Sequence, residues 1–392
     1  MAAKHLKCLF VTPSVPFPPD TGGRVRTYHL LRELHGRAEV HLRAVHESPA
    51  AAAAIAELAP HCASVRGFER ARAGTWRRAT RAKLERWFFS PALAASIGEE
   101  LARERYDLVH LDEMFMIGAL RRNLATAVIV HHHKLDTRFY DSLPSARTIA
   151  GRFDSFKLQR LEREAARRHR FHVLTGEADA RELKGRYPAL HTSVVESGFH
   201  PPNFLPTDSR RSCDDLIFLG SLDYGPNIDG LTWFVREVMP ILLAARPGTR
   251  LRIVGSGNSA AVQALAGRSV SVVGRVETVG PELGRAALLI APLRIGGGTR
   301  LKIVEALGSE TPVVSTRIGA EGLGFEDPKH LWLADGAPEF AARTLEALAD
   351  PSEARARARR GRALAMERYT WSVLSDKLLA TWRRASGRDS DH

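Results

Sequence analysis

Short apolar runs alternate along the chain with segments in which apolar residues recur every three or four positions. The first run, LKCLFVTPS, is nearly continuous, as expected for a strand buried on both faces of a parallel sheet. The next segment, GGRVRTYHLLRELHGR, has helical spacing and a glycine stop at Gly36. Because this order recurs along the chain, the pattern predicts an α/β fold with parallel sheets and crossover helices.

One stretch interrupts the alternation. HPPNFLPTDSRRSCDD is rich in proline and polar residues and has no periodicity, which is typical of an interdomain linker. We therefore predict two Rossmann-like domains, 1–199 and 215–370, joined by a linker at 200–214. A helix within 371–392 is expected to pack back on the first domain before a polar tail. Open parallel sheets bind ligands beyond the carboxyl ends of their strands, so the predicted ligand site is a cleft shared by the two sheets.

The charge balance favours anionic partners without choosing among them. Lys and Arg number 57 against 44 Asp and Glu, which gives a formal net charge of +13. Phosphates, nucleic acid and acidic membranes all fit such a balance, and the arginine-rich composition of a GC-rich genome explains it equally well. Binding to nucleic acid is not predicted, because no recognised module accompanies the charge.

Cysteine spacing and the apolar runs indicate where the protein works. Cys8, Cys62 and Cys213 lie far apart without CxxC spacing, which favours a reduced, cytoplasmic setting. The N-terminal MAAKHLKCLFVTPSVPFPPD has no convincing cleavage site and predicts a first strand instead of a signal peptide. Apolar runs such as AALLIAPL are well short of the ~20 residues that a membrane-spanning helix needs.

A basic, aromatic stretch keeps peripheral membrane contact open. RARAGTWRRATRAKLERWFFSP, residues 70–91, places Trp76, Leu84, Trp87 and Phe88 near one helical face with arginines elsewhere. Such a pattern fits a helix that lies on the inner face of an anionic membrane or a lid over an acceptor. It also fits an ordinary helix that packs its aromatic face on the core.

A glycine-rich loop, GGGTRLKIVEALGSETPVVST, follows the predicted strand LLIAPLR and precedes a helix expected to begin near Thr299. Bare backbone amides at a helix N-terminus form an anion site that suits phosphate. Cations in the first turn oppose the helix dipole and favour a bound anion, and a carboxylate three residues later can accept hydrogen bonds from ribose hydroxyls. The alternative is a flexible turn with a surface Lys–Glu pair. The residues concerned are Gly296, Gly297, Gly298, Thr299, Arg300, Lys302 and Glu305.

The segment RIGGGTRLKIVEALGSETPVVSTRIGAEGL closely resembles the C-terminal domain of glycosyltransferase family 4, the retaining transferases with the two-Rossmann GT-B fold. IFLGSLDYGPNIDGLTWF, LRIVGSGN, VSVVGRV and TPSVPFPPDTGGRVRTYHLLREL extend the resemblance over nearly the whole chain. The chain is most similar to the bacterial branch that serves exopolysaccharide and related glycoconjugate synthesis.

This resemblance implies an enzyme that moves a hexose from a nucleotide-diphosphate sugar to an acceptor hydroxyl with retention at the anomeric carbon. The first domain would bind the acceptor, which is a glycan, a lipid-linked molecule or a small molecule. The second domain would bind the donor, and no metal or other cofactor is expected.

The family's hallmark is a pair of glutamates separated by seven residues. Glu305 matches the second glutamate, which binds the nucleotide ribose, whereas Gly297 stands where the first would contact the donor sugar. The resemblance therefore argues strongly for a nucleotide and weakly for a particular sugar.

Family members often hold the diphosphate with a cationic pair early in the second domain. Here that region reads GSLDYGPN, with Gly220 and Asn227 but no cation, so Arg300 and Lys302 are the expected replacements. Asn227 could bind a phosphate or cap the following helix, and capping is the favoured interpretation.

Two loops of the first domain carry further candidates. Gly22 and Gly23, in DTGGRVR, correspond to a loop that approaches the donor phosphates, with an ordinary tight turn as the alternative. His133, in VIVHHHKLD, aligns with a family histidine that orients the donor sugar. Because side chains alternate along a strand, His131 can share a face with His133 and His132 cannot, so a metal site is a poor interpretation.

Asp112 and Glu113 follow the predicted strand YDLVHL and are candidates for acceptor contacts. Capping of the next helix is the favoured interpretation for both.

Rival functions remain on the sequence alone. A GT-B nucleotide-sugar epimerase would need carboxylates placed for proton chemistry, and a phosphorylase would need a lysine-bound cofactor. A catalytically silent nucleotide-sugar or polyanion binder stays open because the first family glutamate is missing at Gly297.

Overall fold

A computed structural model describes residues 5–71, 81–122, 124–142, 146, 148–206, 212–295 and 300–388. By their internal contacts the described residues form two units. The first unit runs to Glu196 and also includes the chain from Leu374 onward, and the second runs from Ser197 to Val373.

The first unit is built on a parallel sheet in the order β3-β2-β1-β4-β5-β6-β7. Its strands are β1 Leu6–Thr12, β2 Ala38–His46, β3 Ser64–Glu69, β4 Leu108–Asp112, β5 Ala127–His132, β6 Phe171–Leu174 and β7 His191–Val194. Its α-helices are Gly22–Leu34, Pro49–Ala53, Lys83–Trp87, Pro91–Arg103, Asp136–Ser142, Ile149–Arg168 and Glu177–Arg186, and 3₁₀ turns span Ala54–His61 and Met114–Ala119. Most of the C-terminal helix Trp371–Ala385 also belongs to this unit.

The sheet of the first unit has a crevice between the carboxyl ends of β1 and β4. From β1 the chain winds towards β2 and β3 and then returns to build β4 on the other side. Such a reversal leaves an opening in which ligands bind. All five residues of β4 are buried, which indicates that both faces of the sheet are covered at this strand.

The second unit repeats this plan in the order β10-β9-β8-β11-β12-β13. Its strands are β8 Asp215–Leu219, β9 Arg250–Val254, β10 Val270–Gly274, β11 Leu288–Ala291, β12 Val313–Ser315 and β13 Trp332–Leu333. A helix Gly225–Trp233 continues through a π-helical turn Phe234–Val238 into Met239–Ala245. The 3₁₀ turn is Pro201–Asn203, and the other α-helices are Ala260–Gln263, Gly280–Arg285, Leu301–Gly308, Arg317–Ala320, Ala337–Ala349 and Pro351–Arg368.

The predicted α/β class with parallel sheets is confirmed, and Gly36 follows the first helix with φ of 73°. Two local expectations need correction. The strand β3 was not predicted, and the helix that Asn227 was expected to cap begins before it, at Gly225, with Pro226 accommodated in the first turn. Among the described residues, no helix is long and apolar enough to cross a membrane.

Candidate functional site

In the first unit, His133 and Asp112 meet at the carboxyl ends of β5 and β4. His133 Nε2 lies 2.8 Å from Asp112 Oδ1. The other carboxylate oxygen, Oδ2, accepts hydrogen bonds from Thr27 Oγ1 at 2.6 Å and from Thr12 Oγ1 at 3.2 Å. Asp112 therefore fixes the ring of His133 and is itself fixed by two hydroxyls. Its predicted role as a helix cap is wrong, because both oxygens point into this cluster.

The electrostatics of this pair favour its charged form. Burial opposes ionisation of Asp112, but His133 outweighs it and lowers the pKa of the carboxyl to about 2. Burial likewise opposes a charge on His133, and the carboxylates of Asp112 and Glu113 outweigh it, so the pKa of His133 is raised. The pair can thus present a fixed, partly charged imidazole to a ligand.

Glu113 lies beside this pair with an unusual backbone. Its φ is 145°, a region that non-glycine residues rarely adopt and that often marks functional sites. Oε1 is 3.4 Å from His133 Nδ1, and the buried Oε2 has no hydrogen-bond partner in the described part of the chain. Burial raises the pKa of Glu113 to about 7. Glu113 precedes the turn Met114–Ala119 without a side-chain cap hydrogen bond, so its predicted capping role is also wrong.

A cavity of about 240 Å³ opens next to these groups. Its lining includes Gly23, Asp112, Glu113, His133 and the rings of Phe88 and Phe115. A Cβ on Gly23 would lie 3.2 Å from His133 Nδ1, so glycine lets the start of the helix Gly22–Leu34 approach the imidazole closely. A Cβ on Gly22 would meet no atom of the described residues within 4 Å.

The neighbouring histidines divide between the two faces of β5, as alternation along a strand predicts. The rings of His131 and His133 lie on one face with centroids 5.3 Å apart. His132 points to the other face, where its Nε2 is 2.9 Å from His172 Nδ1 and the two rings stack. The prediction that His132 cannot share a site with His133 is confirmed.

A buried cluster in the first unit has side chains of the kinds that bind metals. His110, Asp112 and His131 each bring one potential ligand atom to within 4.8 Å of the others. A metal-bound histidine donates a hydrogen bond from its second ring nitrogen. Here the outer nitrogen of His110 accepts from Trp382 Nε1 at 3.1 Å, and that of His131 lies 2.8 Å from the Arg26 guanidinium. Both outer nitrogens face N–H donors, so the three side chains fit a hydrogen-bonded network better than a cation site.

In the second unit, Lys302 and Asn227 form a polar platform beyond the carboxyl end of β8. Lys302 Nζ donates to Asn227 Oδ1 at 2.9 Å and lies 3.9 Å from the centroid of the Phe218 ring. Asn227 Nδ2 donates to the carbonyl of Ser221 at 2.7 Å. Gly220 has φ of 152°, and a Cβ there would come within 2.7 Å of Asn227 Nδ2 and 3.1 Å of Lys302 Nζ. Glycine is therefore required where the chain passes under the platform.

The platform corrects the interpretation of Asn227 as a helix cap. Asn227 lies inside the helix Gly225–Trp233, and both ends of its amide are used to hold Lys302 and the loop after β8.

The charges of Lys302 and Glu305 in the second unit are poorly compensated by the described residues. Burial, followed by the nearby Arg300, lowers the pKa of Lys302 to about 7. Burial raises the pKa of Glu305 to about 8 against the attraction of Lys302. No hydrogen bond or ion pair to the Glu305 carboxylate is found among the described residues, so the surface Lys302–Glu305 pair weighed as an alternative does not form within 4.0 Å.

Arg300 is buried, and its Nε and Nη2 atoms donate to the carbonyl of Ile318 at 3.2 and 2.8 Å. The helix expected near Thr299 begins at Leu301. Gly296, Gly297, Gly298 and Thr299 lie outside the described residues.

Comparison with known proteins shows which family the second unit resembles. Residues 213–350 match the family model described as glycosyl transferases group 1. Over these residues the chain is similar to a domain of that family. A protein described as an "uncharacterized 44.6 kDa protein in cps region" of Klebsiella pneumoniae is 27% identical over 171 residues, which are 41% of this chain and 42% of that protein. The group 1 domain holds the whole Lys302–Asn227 platform.

Solved glycosyltransferases share the fold of the whole chain. Sucrose-phosphate synthase from Thermosynechococcus elongatus aligns with a TM-score of 0.75 and 16% identity, covering 96% of this chain and 98% of that chain. HepE of Anabaena, solved in complex with UDP and glucose, aligns with a TM-score of 0.66 and 15% identity over 96% of this chain and 99% of that chain. The predicted GT-B fold and the resemblance to group 1 glycosyltransferases are confirmed.

The sequence did not single out several residues that shape these sites. Thr12 and Thr27 bind Asp112, and Trp382 and Arg26 bind the buried histidines. Arg26 stands only three residues after Gly23, so the helical period of its segment offered a signal, whereas Trp382 lies 272 residues from His110 and offered none.

Proposed function

We propose that the protein transfers a hexose from a nucleotide-diphosphate sugar to an acceptor hydroxyl, with retention at the anomeric carbon. The observation that supports it most is the Lys302–Asn227 platform inside the group 1 domain. An ammonium that faces a neutral amide, with a pKa lowered by burial, gains most from an anionic ligand. A diphosphate at the carboxyl end of β8 supplies that anion.

The proposed roles follow the placement of the side chains. Glu305 accepts hydrogen bonds from the ribose hydroxyls, and Lys302 with Asn227 holds the diphosphate. Arg300 and the loop of Gly296, Gly297, Gly298 and Thr299 add positive potential to the same group. Interactions of this kind stabilise the negative charge that grows on the leaving diphosphate.

The first unit is proposed to position the reacting groups. His133, held by Asp112, hydrogen-bonds the donor sugar, while Gly22 and Gly23 admit the donor to the imidazole. Asp112 has both oxygens engaged, so Glu113, whose Oε2 has no partner in the part of the chain that the structure describes, is the better acceptor contact.

The proposed reaction uses no covalent enzyme intermediate. The bond between the anomeric carbon and the diphosphate oxygen breaks, and the acceptor oxygen bonds to that carbon on the same face. The acceptor proton passes to the departing diphosphate, which keeps the charges balanced. No metal or other cofactor takes part in this scheme.

Two proteins similar to this chain support a nucleotide-sugar donor and a role in polysaccharide synthesis. HepE has been solved with UDP and glucose, and the Klebsiella pneumoniae relative lies in a cps region. We therefore propose a uridine-type donor as the first to test and polysaccharide synthesis as the setting.

The deciding experiment is a donor screen with purified protein. Release of nucleotide diphosphate and of sugar is measured for a panel of nucleotide sugars with glycan, lipid-linked and small-molecule acceptors, and NMR of the product reports its anomeric configuration. Because Gly297 stands in place of the first family glutamate, a silent binder is the second candidate. Diphosphate binding without sugar release for any acceptor would favour that candidate.

Calorimetry on the folded protein tests the site assignment. Glu305→Ala and Arg300→Ala are each expected to weaken nucleotide diphosphate binding by about tenfold, since each removes a charged hydrogen-bonding group. Lys329→Ala, which changes an exposed lysine of the same unit, is the control. Unchanged affinity in both site variants would refute the assignment.

A further inference from the structure

The helix Ile149–Arg168 of the first unit exposes three large apolar side chains on one stripe. Ile149, Phe153 and Phe156 are 91%, 56% and 60% exposed. Spacings of four and three residues bring these side chains onto the same side of a helix. Scattered apolar residues on a surface are ordinary, but a continuous stripe marks an interaction site.

The core-facing side of this helix is a different one. Leu158, Leu161 and Ala165 are buried in the core of the first unit. At 100° per residue these three residues centre roughly opposite Phe153 and Phe156. The helix therefore has an apolar face that the core covers and a second apolar stripe that faces solvent, whereas a surface helix normally turns polar residues outward.

Positive charge lies directly beside the exposed stripe. The same helix supplies Lys157 and Arg160 to a cavity of about 250 Å³. The Lys157 ammonium lies 4.3 Å from the centroid of the Phe153 ring. The ionisable lining residues are the cations Arg81, Arg122, Lys157, Arg160 and Arg168 and the carboxylates Glu85 and Glu164.

The acidic side chains do not cancel this basic lining. The lining holds five cations and two carboxylates, and both carboxylates are paired within it: Glu85 Oε1 lies 3.0 Å from Arg81 Nη1, and Glu164 Oε1 lies 3.3 Å from Arg168 Nη1. Burial also raises the pKa of Glu85. The cavity is therefore an electropositive recess that suits a phosphate group.

We propose that this face of the first unit docks on a membrane surface that contains anionic phospholipid. The rings of Phe153 and Phe156 insert at the boundary between headgroups and acyl chains, and the basic cavity receives a lipid phosphate. An apolar stripe flanked by cations is the combination that an anionic bilayer surface attracts. A soluble polyanion would use the cations alone and leave the apolar stripe in water.

This docking face differs from the stretch 70–91, for which the sequence left membrane contact open as one of several interpretations. In the predicted stretch 70–91, Leu84 and Phe88 pack on the core, and Phe88 stacks on Phe115 with ring centroids 4.9 Å apart. Trp87 remains 53% exposed, with the Arg70 guanidinium 4.3 Å from its ring. Trp76 lies outside the described residues. The helix Ile149–Arg168 thus offers the more continuous apolar surface.

Vesicle co-sedimentation of the full chain tests the proposal without any transfer assay. Phosphatidylcholine vesicles are compared with vesicles that also contain phosphatidylglycerol. The wild-type protein is expected to bind the anionic vesicles, with about tenfold weaker partitioning for the double variant Phe153→Ser with Phe156→Ser, since the variant loses the apolar surface of both rings that the bilayer would cover. Arg160→Gln is expected to weaken binding several-fold and to reduce its sensitivity to salt.

Matched controls separate docking from misfolding. Ile241→Ser removes a half-exposed apolar side chain of the second unit, and Arg268→Gln removes an exposed arginine there. Both controls are expected to bind vesicles as the wild type does, and all variants are checked for an unchanged melting temperature. Equal binding of the double variant and the wild type, or no binding of the wild type to anionic vesicles, overturns the proposal. A stripe variant that changes only the oligomeric state would assign the face to a second copy of the chain instead.

Discussion

The two units share one strand order but hold charge differently at the carboxyl ends of their sheets. In the first unit, Asp112 is bonded to two hydroxyls and to His133, and its pKa falls to about 2 despite burial. In the second unit, Lys302 faces a neutral amide and Glu305 has no partner among the described residues, so burial shifts both towards their neutral forms. One fold therefore supports the Asp112–His133 pair, which is hydrogen-bonded without a ligand, and the Lys302–Glu305 site, where an anionic ligand would compensate the charge.

This difference assigns different tasks to the two sites. A carboxylate–imidazole pair that is already hydrogen-bonded holds the ring in place at no further cost of reorganisation, which suits orientation of a reacting sugar. A half-buried cation that has no carboxylate partner among the described residues is stabilised when an anion binds, which suits binding of a diphosphate. Changes in the first unit should therefore alter turnover, and changes in the second should alter nucleotide affinity.

The largest expected effect comes from removing the oriented imidazole. His133→Gln is expected to lower kcat by about a hundredfold with little change in nucleotide affinity, because misplaced reacting groups cost rates of that order. His132→Gln is the matched control, since His132 is also buried at the end of β5 but points to the opposite face. Steady-state kinetics and nucleotide calorimetry measure both variants. If His133→Gln and His132→Gln lowered kcat to a similar degree after correction for folded fraction, the two faces at the end of β5 would not differ in function.

The next largest effect is expected in the pH dependence of nucleotide binding, which tests the charges of Lys302 and Glu305 in the second unit. In the unliganded protein the pKa of Lys302 is lowered to about 7, so the ammonium is lost as pH rises above that value. A bound diphosphate favours the ammonium, so binding takes up a proton and the Lys302 contribution to affinity falls by about tenfold per pH unit above 7. Glu305, with its pKa raised to about 8, has the opposite sign, because its carboxylate form grows as pH rises towards 8.

Two variants separate these opposing contributions. Lys302→Met is expected to weaken nucleotide binding by about tenfold near pH 6 and to leave only the rising contribution of Glu305. Glu305→Gln is expected to leave only the falling contribution of Lys302. Calorimetry in buffers of different ionisation enthalpy counts the protons directly. A wild-type affinity that rises steadily from pH 7 to 9 would contradict the role of Lys302.

The sequence predicted most of the fold because buried parallel strands are continuous apolar runs that stand out between helical segments. It missed β3, whose sequence SVRGFE has no fully buried residue, since an edge strand needs only one covered face. It placed His131 and His133 on one face because alternation along a strand is a local rule. The pairing of Lys302 with Asn227, 75 residues apart, depends on strand order and could not be read locally.

Glu113 shows the same limit at a single residue. Its φ of 145° and its Oε2 atom, which has no hydrogen-bond partner among the described residues, cannot be read from the letters DE, which suggest a helix cap equally well. A strained, buried carboxylate in a cavity is retained most readily where it serves a ligand. The smallest of the predicted effects is expected from a change at Glu113, the proposed acceptor contact.

Glu113→Gln is expected to raise the acceptor KM by about fivefold to tenfold and to leave nucleotide affinity unchanged, because a hydrogen bond to a charged group is replaced by a neutral one. With its pKa raised to about 7, the carboxylate form grows as pH rises through 7, so kcat/KM for the acceptor should rise over that range in the wild type. In the variant, kcat/KM for the acceptor should no longer rise with pH over this range. Glu85→Gln also changes a carboxyl of the first unit whose pKa is raised by burial. This variant should keep the wild-type acceptor KM and the rise of kcat/KM with pH. If Glu113→Gln kept the wild-type acceptor KM and the rise of kcat/KM with pH, Glu113 would be a strained structural residue. The functional groups of the first site would then be His133 and Asp112.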